Sequence, residues 1–193
     1  MRLFVLARHG RSVLNLKRIV NGDPLHDLGL APQGIEEAQE LGRQLSAIPV
    51  DLAVSSQFPR AVQTVDAALE GRDIPRMLDE DLGDIRIGSL DGVTLDDYHH
   101  SAARADRNLP FPDGESLNDA ARRYADAFER LLARPEPVTL VVCHEYPVRY
   151  AVNAAAGSDE FDAPFRETPN ATPYLFDEPA LSRAVTRIRD LAS

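Results

Sequence analysis

Apolar residues concentrate in two short runs, at positions 3–7 and 138–143, and each leads into a histidine at its end. Continuous runs of β-favouring residues predict strands covered on both faces of a sheet. Elsewhere the spacing changes. Ile35, Ala38, Leu41, Leu45 and Ile48 keep near-helical intervals and predict a helix over 33–47. A short strand at 51–55 comes next, and Pro59 opens a helix running to about residue 69. Residues 74–78 predict a third strand, and 82–92 is irregular, punctuated by Gly83, Gly88 and Gly92. Thr94 starts a capping pattern with Asp97, so a helix is expected after it. Ser116, with Asp119 three positions on, caps an amphipathic helix carrying Leu117, Ala120, Tyr124, Ala127 and Leu131, which ends before Pro135. A helix over 148–155, a strand near 174–176 and a less defined last element complete the pattern. Residues 11–34, rich in Gly, Pro, Asn and Asp, predict a long loop. Strands alternating with helices imply an α/β fold in three layers, α/β/α, with a mostly parallel central sheet.

Composition narrows the partners. The 193 residues suit one domain, 1–193, with a short helical insert at about 93–111. A net charge of −10 disfavours nucleic acid and anionic membrane as partners. It also means that any phosphate ligand must be attracted by a local cluster of cations. Of 21 basic residues only Lys17 is a lysine, and guanidinium groups suit bidentate phosphate contacts. The single cysteine, Cys143, excludes an internal disulfide and fits a reducing compartment, and no run is long enough to span a bilayer. A cytoplasmic protein is expected.

In open α/β sheets the ligand crevice lies beyond the carboxyl ends of the strands. Arg8, His9 and His144 would therefore meet there, with Gly10 letting the backbone turn closely. The segment Arg8-His9-Gly10-Arg11-Ser12-Val13-Leu14-Asn15 resembles the signature of the histidine phosphatase superfamily, the phosphoglycerate mutase-like proteins. Three more segments add to the resemblance, in the family's order. Ser56-Gln57-Phe58-Pro59-Arg60-Ala61-Val62-Gln63-Thr64 resembles its S-x-x-x-R-A-x-Q-T stretch. Leu82–Gly92 is similar to its L-x-E-I-x-x-G-x-x-E-G segment, with Asp84 in place of the glutamate. Pro112-Asp113-Gly114-Glu115-Ser116 resembles its P-x-G-E-S stretch.

The resemblance implies a metal-free, cofactor-free site acting on a small phosphorylated substrate. Neutral His9 would be the nucleophile and form a phosphohistidine. Arg8, Asn15, Arg60 and His144 would hold the phosphoryl oxygens, and Asp84 would protonate the leaving oxygen. For that role Asp84 needs a raised pKa, which gives a mildly acidic to neutral optimum. Glu80, Asp81 and Glu115 are competing acids, although Glu115 fits a helix N-terminus better. Two further positions depart from the pattern. Arg11 stands where Glu or Gln is common, and Glu145 comes after His144 where Gly is common. Glu145 could repel phosphate, pair with Arg11, or meet a positive group on the substrate.

Cys143 and His144, as neighbours on a strand, face opposite ways and do not suggest a dyad. His99 and His100 diverge around a helix and do not suggest metal ligands. The leading expectation is a phosphomonoesterase. The alternatives are a cofactor-dependent phosphoglycerate mutase, which is typically longer, and a catalytically silent phosphate-binding module.

Overall fold

The computed structural model describes residues 2–193. In chain order the elements are β1 (Leu3–Arg8), α1 (Val13–Leu16), α2 (Pro32–Gln44), β2 (Leu52–Ser55), α3 (Pro59–Ala68) and β3 (Arg76–Leu78). Then come α4 (Leu95–His99), α5 (Ala102–Ala105), α6 (Leu117–Leu132), β4 (Val138–Cys143), α7 (Glu145–Ala155), β5 (Pro173–Asp177) and α8 (Glu178–Leu191). The sheet has five strands in the order β3-β2-β4-β1-β5. All neighbours are parallel except β5, which runs antiparallel to β1.

The two apolar runs become the adjacent central strands, with Arg8 opposite Cys143. Strand alternation sorts their side chains between two cores. Phe4 and Leu6 of β1, with Val141 and Cys143 of β4, pack with Tyr124, Phe128 and Leu181 from α6 and α8. Val5 and Ala7, with Leu140 and Val142, pack with Leu41 and Val65 from α2 and α3. This is the expected three-layer arrangement. Burial on both faces explains why neither central strand alternates with polar residues.

Capping fixes α6 in the way its sequence indicates. Ser116 Oγ accepts from Asp119 N at 3.0 Å, and Asp119 Oδ2 accepts from Ser116 N at 3.1 Å. Replacing Ser116 with Ala removes one half of this box and is expected to cost about 1 kcal/mol. Urea unfolding with an unchanged m value checks it.

Three elements differ from their sequence-based outlines. Helix α7 starts at Glu145, immediately after β4, because Pro147 lies in its first turn, where no intrahelical N–H is needed. The last element is a full helix, α8, whose Leu181, Ala184, Val185 and Ile188 line its buried face. The 11–34 segment is only partly loop. Ser12 and Asn15 form a capping box around α1, and a short 3-10 turn spans Pro24–His26.

Candidate active site

The site lies where β1 and β4 end. His9 N donates to Cys143 O at 2.9 Å, which continues the β1–β4 ladder by one residue and brings the His9 and His144 rings to a centroid separation of 5.2 Å. Gly10 then passes so close to the Gly34 carbonyl that a Cβ would collide with it, so the close turn expected there is real. Thr64 Oγ1 on α3 accepts from Gly10 N at 2.9 Å and donates to Arg60 O at 2.7 Å, tying α3 to the end of β1.

Arg60 is the hub. Its guanidinium is buried, 4.4 Å from the Phe58 ring centroid. Its Nε–H donates to His9 Nε2 at 3.1 Å, and Nη2–H donates to His144 Nδ1 at 3.1 Å. Further Arg60 bonds reach Asp84 Oδ2 at 3.0 Å and Asn21 Oδ1 at 2.6 Å. His9 Nδ1 lies 2.7 Å from Gly10 O, so its proton resides on Nδ1 and Nε2 keeps its lone pair. By the same logic neutral His144 accepts from Arg60 on Nδ1 and donates from Nε2 to Ser56 Oγ, 2.8 Å away.

Both histidines are held neutral. Burial, and next the Arg60 charge, hold His9 well below the usual imidazole range. Burial likewise pushes His144 down to about 4, against an upward pull from Asp84. Asp84 goes the other way. Burial alone would raise its pKa, but the Arg60 guanidinium bonded to its Oδ2 wins and holds the carboxyl below the usual range. The raised pKa expected for this residue is therefore not found. The reason is that Arg60, assigned to the phosphoryl group, also bonds Asp84 Oδ2.

The other predicted residues fall around one cavity of about 360 Å³, whose wall includes Arg8, His9, Asn15, Arg60, Asp84 and Glu145. Asn15 Oδ1 is taken by Ser12 N at 3.1 Å, which leaves its Nδ2 as the available donor. His144 lies behind this wall, fully buried and reached through Arg60. The wall carries six arginines against three carboxylates, reversing the sign of the whole chain locally. Glu115 is elsewhere. It pairs with Arg123 and accepts from Arg86 N at 3.0 Å, so it braces a loop. Glu145 pairs with Arg8 and Arg149 and not with Arg11, which does not line the cavity and whose backbone N–H donates to Glu37. His99 is exposed at the cavity rim. Among the described residues no group of three or more His, Cys, Asp or Glu is placed to hold a metal ion.

Several supporting residues escaped the sequence reading. Asp27, from the long loop, has a fully buried side chain and accepts from Arg60 N at 2.9 Å. It caps α3, whose N-cap Phe58 has no side-chain oxygen. Asn21 orients Arg60, and Asp91 holds that stretch by accepting from Gly22 N at 2.7 Å. Ser56 sets the His144 tautomer. Buried Arg123 donates to the carbonyls of Asp81, Gly83 and Asp84 and so fixes the acid loop.

The sequence profile of the histidine phosphatase superfamily (branch 1) matches residues 4–177. The chain belongs to the histidine phosphatase superfamily. Among curated relatives, a 2,3-bisphosphoglycerate-dependent phosphoglycerate mutase from Methylobacterium sp. (strain 4-46) is 38% identical over 134 residues, 63% of this chain. The match spans 64% of that relative's own length. Among solved structures, Bacillus stearothermophilus YhfR superposes with a TM-score of 0.80 at 25% identity, covering 92% of this chain and 91% of YhfR. The alpha-ribazole phosphatase from Shigella flexneri has the same fold, with a TM-score of 0.79 at 22% identity over 91% of this chain and 90% of its own. Superfamily membership supports a phosphatase or mutase enzyme. No described helix is long and apolar enough to cross a membrane.

Proposed function

We propose that the chain is a phosphomonoesterase that hydrolyses a small phosphorylated metabolite through a phosphohistidine on His9. The observation that carries this reading is the neutral His9 on the wall of a cationic cavity, held in one tautomer by Gly10 O with its Nε2 lone pair turned to Arg60. Phosphate monoesters react extremely slowly in water, with accelerations reaching about 10²¹-fold, so charge neutralisation and in-line placement must be built in advance. An entering phosphoryl group would draw the Arg60 N–H bonds to its oxygens, releasing the His9 lone pair for attack at phosphorus. Arg8 and Asn15 would take further oxygens, while His144, assigned to the same task by the sequence, would brace Arg60 from behind because its Nε2–H is held by Ser56. The P–O bond to the leaving group breaks as the N–P bond forms, and Asp84 would deliver the proton to the departing oxygen. Ionised again, Asp84 would take a proton from the water that clears His9.

A mutase is the second reading, favoured by the names of the sequence relatives. It would need a bisphosphate, which when bound supplies the phosphoryl group that primes His9. Arg104 and Arg166, on the cavity wall, carry charge suited to a second phosphate.

Phosphate release from a panel of phosphomonoesters in EDTA tests the leading reading. Interconversion of 3- and 2-phosphoglycerate, with and without 2,3-bisphosphoglycerate, tests the second. Steady release from at least one ester, without isomerisation, is the expected result. Isomerisation outpacing release would favour the mutase. Neither reaction would leave a silent binding module.

A further inference from the structure

Glu145 is an anion placed in the wall of a site meant for anions. Its Oε2 lies 2.9 Å from Arg8 Nη1, and its Oε1 accepts from Arg149 Nη1 at 2.7 Å. Arg149 is buried, and its Nη2 lies 2.9 Å from Asp162 Oδ1. One carboxylate is therefore shared by two guanidiniums, and Arg149 has a second carboxylate of its own. Arg8 is divided. Its Nη1 faces Glu145 and donates to Thr168 O at 3.0 Å, while its Nε is buried without a hydrogen-bond partner among the described residues. The same guanidinium is among the charges that lower the His9 pKa.

We propose that Glu145 sets the phosphate affinity of the site, competing with the phosphoryl group for Arg8 so that inorganic phosphate leaves after each turnover. This rests on the assignment of the cavity as a phosphoryl pocket. The carboxylate need not move far. It cancels part of the Arg8 charge where it stands, and Arg149 holds it when Arg8 turns its donors to the ligand. Tight binding of phosphate would help neither turnover nor release, since equal stabilisation of ground and transition states adds nothing to the chemical step.

The test is calorimetric titration of orthophosphate into the purified chain, at fixed ionic strength, for the wild type, Glu145→Gln and Glu145→Ala. Glu145→Gln keeps the shape while removing the charge. Loss of one unit charge beside the pocket is expected to tighten phosphate roughly tenfold, and to lower the inhibition constant for phosphate in the esterase assay in parallel. A damaged fold would weaken binding, so tightening cannot arise from it. Should Glu145→Gln unfold early, Glu145→Ala, which removes the same charge, supplies the measurement. Equal or weaker binding in a variant that melts with the wild type overturns the proposal and leaves the phosphoryl pocket standing. No phosphate binding in any of the proteins overturns the pocket assignment and this proposal together.

Discussion

His9→Ala is expected to abolish phosphate release, by at least about 10⁴-fold in kcat, with little change in the melting temperature. No neighbouring group can replace the lost nucleophile. His144 lies behind Arg60 with Nε2 committed to Ser56, and the Cys143 thiol points into the opposite core, where burial raises it to about 12. Fold stability should survive, since His9 Nδ1 bonds only to the adjacent Gly10 carbonyl and the strand ladder uses main-chain groups. Arg60 would lose one of several partners and keep Asp84, Asn21 and His144. A variant that still binds orthophosphate but neither releases it from esters nor forms an acid-labile phosphoenzyme would place the covalent step on His9. Residual turnover within tenfold of the wild type would remove the phosphohistidine from the mechanism.

The two central strands and the histidines at their ends were legible because the chain states them locally. Each strand is one apolar run, broken in β4 only by Thr139, and parallel pairing of two such runs puts their terminal histidines at the same sheet edge. Caps were equally legible, since Thr94 with Asp97 and Ser116 with Asp119 act over three residues. The contacts that steer Arg60 were not. Asp27 sits 33 positions away in a Gly- and Pro-rich loop, where an aspartate reads as a turn residue. Arg123 lies on a helix whose period marks its apolar stripe, and nothing in that period tells which arginine will fold inward onto three carbonyls. The Asp84 titration failed for a related reason. Motif position assigns one role to each residue, whereas in the structure one guanidinium serves the nucleophile, the second histidine and the acid at once.

That sharing gives the Asp84→Asn variant its expected signature. Asp84 is ionised throughout the ordinary pH range, because the Arg60 charge bonded to it outweighs its burial. It therefore has no proton to give until substrate arrives. A phosphate monoester has its second pKa near about 6, and below that value it enters as the monoanion carrying one proton. Once Arg60 turns to the phosphoryl oxygens, Asp84 loses a positive neighbour and gains a negative one, so its pKa rises and it can accept that proton and pass it to the leaving oxygen. For an alkyl phosphate, kcat/KM should then fall about tenfold per pH unit above about pH 6, as the monoanion disappears. On the acid side it should hold until the histidines protonate, which for His144 means about 4. With Asp84→Asn the alkyl ester should lose about 10²- to 10⁴-fold in kcat/KM. An aryl ester, whose phenolate leaves without a proton, should lose less than about tenfold in kcat/KM, which excludes the later water step, and the descending limb of its profile should vanish. Equal losses on both esters, or an alkyl rate still rising above about pH 9 in the wild type, would assign the proton to another group.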